Sequence, residues 1–259
     1  MIFLLKLILT PFLIGSVTLA GRRWGPVVSG LLMGMPLTSG PVSLFLALEY
    51  GPIFAAHAAI GNIVGQASVC VFCFVYSRIS RKCGWQMSVT LSALAFLVAT
   101  AIWNSISWSL LVAYFVVVIV IGLVIWLMPK PTIALIAPAP PKWDLPARIG
   151  IATAFVVTMT AIADELGPQL SGLLTPFPVF GLVISAFTHH QQGPDAATKL
   201  QRGILMGLLA SATFLLIVGL LLPILAIGWT YLLASIAAIG LSGLSFYWSH
   251  RDAKNAAQA

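Results

Sequence analysis

Long apolar stretches, each of a length that can cross a lipid bilayer, recur along almost the whole chain. A helix needs about 20 residues to span the roughly 30 Å hydrocarbon core. Hydrophobic residues make up 60% of the sequence and charged residues only 7%, a balance that water does not solvate well. Open strand edges cannot face lipid, so the class predicted is all-α, a polytopic membrane protein with about nine transmembrane helices. The predicted spans are 2–20, 26–48, 52–76, 85–103, 108–128, 146–163, 167–188, 200–222 and 226–248.

The sequence repeats itself after 142 residues without a gap. GPVVSGLLMGMP at 25–36 aligns with GPQLSGLLTPFP at 167–178, and fifteen of the fifty-two positions from 25 to 76 are identical to their counterparts. A shared apolar composition would match some leucines, but it would not align the Gly-Pro pairs at 51–52 and 193–194 in the same register. We therefore predict a duplication. Its parts are 1–106 (repeat 1, four helices), 107–145 (a connecting transmembrane helix and a Pro-rich linker) and 146–259 (repeat 2, four helices).

The first twenty residues, 1–20, end in small residues and resemble a cleavable signal peptide. Their counterpart in the second copy is the predicted span 146–163. Because a segment that is duplicated within the chain belongs to the fold, we expect residues 1–20 to be retained.

Charged residues fall unevenly on the two sides of the predicted bundle. Twelve of the thirteen Lys and Arg residues lie in odd-numbered connections or in the C-terminal tail, and only Lys6 lies toward the other side. The positive-inside rule therefore predicts an outer N-terminus and a cytoplasmic C-terminus. The basic pair Arg22-Arg23 aligns with the acidic pair 164–165, as expected if the unduplicated span 108–128 turns the second copy over. The prediction is a 4+1+4 inverted-topology repeat.

Prolines at equivalent positions mark the predicted functional region. Pro36 in the second span and Pro178 in the seventh are repeat equivalents, and each is surrounded by glycines. A proline removes one backbone donor and frees a carbonyl one turn earlier. Inverted-repeat transporters bind solutes where such broken helices meet, although a simple kink is the alternative. We predict broken helices 2 and 7 and a solute site between spans two, three, seven and eight. The candidate solute-binding residues are Pro36, Thr38, Ser39, Asn62, Gln66, Pro178 and Ser185.

Two sets of residues in span three have competing interpretations. Asn62 and Gln66 are four residues apart and share one helix face, where they could bind a solute or a neighbouring helix. His57 lies on another face, as a candidate for proton coupling or as a packing residue. Glycines four apart let helix backbones approach closely, which predicts a tight crossing of spans three and eight. Those glycines are Gly61, Gly65, Gly203 and Gly207.

Several other function classes are disfavoured by the sequence. The bases behind the net charge of +7 are dispersed in short loops, so no nucleic-acid partner is predicted. Cys70 and Cys73 lie in an apolar run where thiolates are disfavoured, so they predict no metal site. His189 and His190 are expected to be solvated surface. No sequence motif of an enzyme is present, and no cofactor is predicted.

The segment 171–186, SGLLTPFPVFGLVISA, resembles the GlpM-like family of small bacterial inner-membrane proteins. The first half of the chain keeps only Gly30, Leu31 and Pro36 of the pattern. Members of that family are short and single-copy, so the resemblance implies a bacterial inner-membrane fold rather than an activity. The family pattern, Gly-Leu-x-Pro-x-Phe-Pro-x-Phe, falls on Gly172, Leu173, Pro176, Phe177, Pro178 and Phe180.

Together these features favour a secondary transporter of a small solute. Lys6 and Arg148 are repeat equivalents at helix starts, and with helix dipoles they favour an anion or a zwitterion, although both could simply reach for lipid headgroups. Two alternatives stay open: an accessory or assembly factor for an envelope-polymer or lipid pathway, and a lipid flippase. The expected partners are membrane lipid and a small-molecule substrate, and a homodimer is left open.

Overall fold

The computed structural model describes residues 2–37, 39–129, 141, 143–158 and 178–258, and every regular element within these ranges is an α-helix. Six helical stretches of the described chain are long and apolar enough to cross a membrane, so the protein is all-helical and membrane-embedded. Most of the predicted linker 129–145 and the first half of the predicted span 167–188 lie outside these ranges. The helices are α1 (Ile2–Trp24), α2 (Pro26–Gly34), α3 (Ser39–Glu49), α4 (Pro52–Ile79), α5 (Trp85–Asn104), α6 (Leu110–Leu127), α7 (144–158), α8 (Val179–Gln192), α9 (Pro194–Leu221) and α10 (Ile227–Gln258).

The outer surface of the bundle is as apolar as its interior, and α6 shows this most clearly. Its buried stripe packs toward α4 and α9 and repeats every three or four residues, the period of one helix face. The opposite face of α6 exposes large side chains such as Phe115, Ile119 and Leu123. Exposed apolar area of this extent is costly in water, so lipid is the solvent of this face.

Helix boundaries recur at the 142-residue interval. Helices α4 and α9 both contain 28 residues, and they begin at Pro52 and Pro194. Proline is well suited to the first helical position, where its missing N–H has no acceptor to lose. The preceding residues, Gly51 and Gly193, have φ angles of +91° and +86°, which only glycine adopts without strain. The next helices, α5 and α10, also start 142 residues apart.

Helix α9 is the centre of the bundle, and it packs against α2, α3, α4, α6, α8 and α10. The contact between α9 and α4 encloses a core of large side chains from both helices, among them Phe72, Tyr76, Leu205 and Leu215. Burying apolar side chains completely also fixes their geometry, because interiors are close-packed. The two long helices therefore form the frame on which the shorter elements are placed.

The closest helix contact joins α2 to α9 and is made by glycines from both helices. A Cβ atom added to Gly30 would fall onto the carbonyl oxygen of Leu200 and would lie 2.9 Å from the Cα of Gly203. A Cβ atom added to Gly207 would lie 2.7 Å from the Cα of Gly34. The two backbones therefore touch directly, in the geometry that brings Cα–H groups to carbonyl oxygens across small-residue crossings.

The partner of these glycines differs from the one that the sequence suggested. Gly203 and Gly207 pack on α2, whereas the sequence argument paired span eight with span three. Gly61, the repeat equivalent of Gly203, is exposed, and a Cβ atom there would have no described atom within 4 Å. The physical reason is that α2 carries its own glycine pair at the same spacing, Gly30 and Gly34, and this pair meets the glycines of α9.

Charged segments from several helices meet at one end of the bundle. Arg81, after α4, lies 3.1 Å from a carboxylate oxygen of Asp195 at the start of α9. Arg22, near the end of α1, lies 2.8 Å from a carboxylate oxygen of Asp144 at the start of α7. Arg78 donates to a backbone carbonyl at the end of α6. We call the surface that contains these five residues the basic end.

A matched pair of alanine substitutions tests the glycine contact. Gly203→Ala is expected to lower the free energy of unfolding by about 1–3 kcal/mol, because the added methyl group meets backbone atoms that no rotamer can move. Gly61→Ala is the control at the equivalent repeat position, and it is expected to be neutral or to stabilise by up to about 1 kcal/mol through helix propensity. Thermal unfolding in detergent measures both. Equal midpoints for the two variants would contradict the close crossing of α2 and α9.

Candidate functional site

The chain leaves the helical conformation between α2 and α3. Met35 has φ −65° and ψ 159°, so α2 ends at Gly34, and α3 begins at Ser39. The N–H of Leu37 donates to the carbonyl of Met35 at 2.8 Å, which is a tight turn rather than a helical bond. The carbonyl of Pro36 accepts from the first turn of α3 at 2.9 Å. The predicted second span is therefore interrupted around Pro36, and residue 38 lies outside the described ranges.

The interruption lies level with the middle of α9. Gly34, the last residue of α2, contacts Gly207, which is the fourteenth of the 28 residues of α9. On the other side of the interruption, a Cβ atom on Gly40 would lie 3.5 Å from the ring of Phe214. Because α9 is a full-length apolar span, this places non-helical backbone near the centre of the bilayer. Backbone polar groups at that depth require protein, water or a ligand as partners.

A small apolar cavity adjoins the interruption. It lies between α1, α8 and the end of α2, and Met35 and Leu37 of the interruption contribute to its wall. About 10 Å³ is open to the centre of a water-sized sphere, which is room for no more than one water molecule. The described side chains around it are all apolar, namely Leu13, Ile14, Val17, Leu32, Met33, Met35, Leu37, Phe180 and Ile184.

The polar residues predicted for the site make helix contacts. The side-chain amide of Gln66 in α4 donates to the hydroxyl of Ser211 in α9 at 3.1 Å. The hydroxyl of Ser185 in α8 accepts from the amide of Gln201 in α9 at 2.7 Å. Asn62 donates to a carbonyl of its own helix at 3.2 Å. Gln66 and Ser185 therefore join neighbouring helices to α9 rather than to each other.

The carbonyl ends of two of these amides are buried and unsatisfied. The Oε1 atoms of Gln66 and Gln201 have no hydrogen-bond partner in the part of the chain that the structure describes. A buried acceptor without a partner costs roughly 1–3 kcal/mol, so each is a place where a polar ligand or a water molecule would be stabilised. Both lie on the contacts that surround α9.

The remaining predicted residues lie apart from these amides. Pro36 lies within the interruption, Ser39 follows it at the start of α3, and both are half-buried. Pro178 precedes the first residue of α8. His57 is exposed near the start of α4, away from the buried face of that helix. The structure thus distributes the predicted residues around α9 and does not gather them into one pocket of the described chain.

A buried ion cluster at the basic end was missed by the sequence prediction. The side chain of Asp144 is fully buried, and its two oxygens lie 2.8 Å from Arg22 and 2.8 Å from Arg148. The amide of Gln191 donates to the same carboxylate at 2.5 Å. Arg148 also stacks over the ring of Phe187 at 5.0 Å. We call Arg22, Asp144, Arg148 and Gln191 the ion cluster.

The ion cluster carries a net positive charge. Burial alone would raise the pKa of Asp144, but hydrogen bonds from Arg22 and Arg148 outweigh it, and the pKa is lowered. One ionised carboxylate therefore faces two guanidinium groups. The available sequence signal was the spacing of Asp144 and Arg148, one helical turn apart at a helix start, which suits an acid in the first turn. The prolines that precede Asp144 extend the predicted linker to residue 145, so Asp144 is not predicted to lie in a helix.

His189 departs from its expected place on the solvated surface. It is only 8% exposed, and its Nδ1 atom lies 3.4 Å from the hydroxyl of Tyr76 in α4. The ring of His190 contacts Trp85 at the start of α5. The prediction failed for His189 because α8 continues through both histidines and turns one of them inward.

Metal chemistry finds no support in the described residues, where no group of three or more His, Cys, Asp or Glu side chains could hold an ion. Cys70 and Cys73 are buried in α4 as free thiols.

Comparisons with protein-family profiles, with curated proteins and with solved structures find no match for this chain. The function must therefore be inferred from the interruption, the buried amides and the ion cluster.

The buried histidine predicts a pH dependence of stability. Burial, with a contribution from neighbouring His190, lowers the pKa of His189 below its usual 6.5. The unfolded chain then binds a proton more readily than the folded one. The free energy of unfolding therefore keeps its maximum contribution from His189 above about pH 6.5 and decreases as the pH falls below it. We expect the thermal midpoint to fall between about pH 7.5 and about pH 5.5, and to fall less in His189→Gln. His57→Gln is the exposed control, and an unchanged pH profile in His189→Gln would contradict the prediction.

Proposed function

We propose that this protein is an inner-membrane secondary transporter of a small anionic or zwitterionic solute. The observation that carries the proposal is the interruption of α2 and α3 at the level of the middle of α9. Transporters use such interruptions because the freed backbone groups and the ends of the half-helices can hold a solute at mid-membrane. The unsatisfied carbonyls of Gln66 and Gln201 add polar acceptors near the same central helix.

The proposed architecture is an inverted repeat. Helices α4 and α9 correspond under the 142-residue shift in length, first residue and preceding glycine. Arg81 follows the C-terminal end of α4 and binds Asp195 at the N-terminal end of α9. The two equivalent helices are thus packed antiparallel, which is the relation expected between copies of opposite orientation. The resemblance to GlpM-like proteins agrees with one copy being the ancestral unit.

The proposed topology follows from the basic end. Four arginines, Arg22, Arg78, Arg81 and Arg148, lie at this end, so we propose from the positive-inside rule that it faces the bacterial cytoplasm. The N-terminus is then outside and the C-terminus inside.

Reporter fusions test this topology. A fluorescent protein that folds only in the cytoplasm is expected to be active when fused at the C-terminus, and alkaline phosphatase is expected to be inactive there. The activities should be reversed for fusions in the connection between α5 and α6, after residue 106. Phosphatase activity at the C-terminus would contradict the proposed orientation.

The proposed motion uses the interruption as its hinge. Glycine backbones touch at the crossing of α2 and α9, so at the point of closest contact no side chain interlocks the two helices. Residues 35–37 can absorb a change in the angle between α2 and α3, as hinges at element ends do. Movement of α3 against α2 would then open the central region to one side of the membrane at a time.

A lipid flippase is the second candidate, and the apolar cavity beside the interruption favours it. A polar solute would gain little from a wall of leucine, isoleucine and methionine, whereas an acyl chain would pack against such a wall once the cavity widened. The flippase differs from the solute transporter in one requirement, because its route must open sideways into the bilayer.

Reconstitution in liposomes tests the proposed function. Liposomes that contain the purified protein are expected to take up at least one member of a panel of small carboxylates, inorganic anions and amino acids. Pro36→Ala, which lets the helix continue through the interruption, is expected to slow uptake roughly tenfold, equivalent to about 1.4 kcal/mol in the barrier. The control is Pro52→Ala at the first residue of α4, where proline is replaceable at little cost.

The outcomes separate the candidates. Uptake that is lost in Pro36→Ala and kept in Pro52→Ala supports a solute transporter. Movement of a fluorescent phospholipid between leaflets, without solute uptake, would replace it by the flippase. If the folded protein moves neither solutes nor phospholipid, the proposal is overturned. The accessory or assembly role would then be the remaining candidate.

A further inference from the structure

We infer that the basic end contains a binding site for one small monovalent anion, either a halide-sized ion or a carboxylate of the size of formate. The site lies between the end of α1, the start of α2, the start of α7 and the end of α8. It adjoins the ion cluster on the side that Thr18 and Ser29 close. This site is separate from the interruption, so its occupancy can be measured whether or not the protein transports a solute.

The first argument is the charge balance of the ion cluster. Asp144 neutralises one of two guanidinium groups, and Arg148 is only 4% exposed. A cation as buried as Arg148 is costly without a full counter-charge, and Arg22, whose side chain is 29% exposed, is hydrated only in part, so a bound anion would be favoured there. Each guanidinium has five N–H donors. The described partners use one of them in Arg22 and two in Arg148, which leaves donors for a ligand.

The second argument is a cavity that touches both arginines. Seven of its nine lining residues are polar or charged, in contrast to the cavity at the interruption, and about 20 Å³ is open to the centre of a water-sized sphere. This space suits one ion of about the size of a water molecule or one carboxylate of the size of formate. The lining residues are Thr18, Gly21, Arg22, Pro26, Ser29, Asp144, Arg148, Thr188 and Gln192.

The third argument is the hydroxyl of Thr18, which lines the same cavity. Thr18 is 3% exposed, and within the described ranges its Oγ1 atom has no hydrogen-bond partner. A buried hydroxyl is normally satisfied, so the hydroxyl of Thr18 is a donor that an acceptor bound in this cavity could use. An anion accepts hydrogen bonds and cannot donate them, so it can pair with the hydroxyl and with both guanidinium groups at once.

The side chains select the class of ligand. A doubly charged anion would leave the site with a net negative charge, because the ion cluster supplies only one uncompensated positive charge. A bulky anion would not enter a space of this size. A small monovalent anion satisfies both conditions, and a carboxylate matches the two-pronged geometry of a guanidinium group.

Thermal unfolding of the whole protein in detergent tests this site. Sodium gluconate, whose anion is too bulky for the cavity, is replaced stepwise by sodium chloride or sodium formate at constant ionic strength. The midpoint is expected to rise saturably by roughly 2–6 °C, because the anion binds the folded state alone. A rise with formate but not with chloride identifies a carboxylate site, and a rise with both identifies a general small-anion site.

Three variants and one control variant separate an anion site from a purely structural ion cluster. Arg22→Gln is expected to abolish the anion-dependent rise, whereas Arg23→Gln, which makes the same charge change beside Trp24, is expected to keep it. Asp144→Asn is expected to lower the midpoint in gluconate and to enlarge the rise with anion, because the local charge increases. Thr18→Val is expected to leave the gluconate midpoint equal or higher and to weaken anion binding several-fold.

A linear, unsaturable response to chloride and formate in the wild-type protein would overturn the proposal. A saturable rise that Arg22→Gln and Thr18→Val leave unchanged would overturn it as well, since the anion would then bind elsewhere. Loss of solute uptake in liposomes bears only on the transport function. The midpoint series bears only on this site.

Discussion

The crossing of α2 and α9 is the contact on which the rest of the architecture depends. Gly30 and Gly34 on one helix and Gly203 and Gly207 on the other bring backbone against backbone. Lipid tails are as apolar as leucine, so helix association in a membrane relies on close packing and weak polar contacts rather than on hydrophobic exclusion. This contact fixes the level of α2, and with it the level at which the chain leaves the helix. It also leaves α9 free to contact α4, α6, α8 and α10 with its other faces.

Much of the fold could be predicted from local patterns. The Gly-Pro pairs at 51–52 and 193–194 specify helix starts because glycine alone adopts the required φ and proline suits the first helical position. Apolar length specified the membrane helices. Pro36 and its surrounding glycines indicated where a span is interrupted. These features depend on the backbone preferences of a few neighbouring residues, and sequence reports such preferences directly.

Partner choice could not be predicted in the same way. Gly203 faces α2 rather than α4, and Gln66 binds Ser211, because tertiary packing decides which of several compatible surfaces meet. Asp144 was lost in a proline-rich linker, and only the fold shows that Arg22 reaches it from a helix far away in the sequence. His189 was assigned to the surface because the end of α8 was placed one turn too early.

Two levels of the molecule differ in their chemistry. The interruption, near the middle of α9, exposes backbone groups beside an apolar wall. The ion cluster, at the basic end, offers positive charge and an unsatisfied hydroxyl beside a polar cavity. An anion could be attracted at the basic end and released from it without meeting a buried carboxylate other than Asp144 among the described side chains. In the proposed transporter, the interruption would supply the movable element, because the ion cluster is held by short ion pairs.

Accessibility of the interruption to water is the most direct test of its central role. Leu37→Cys is made in a protein whose three native cysteines, Cys70, Cys73 and Cys83, are replaced by serine or alanine. The thiol is expected to react with a membrane-impermeant thiosulfonate in native membranes, because the interruption would open to water during the proposed transport cycle. The lipid-facing variant Ile119→Cys is expected to stay unreactive. If Leu37→Cys reacts no faster than Ile119→Cys from either side of the membrane, the interruption does not line a transport route.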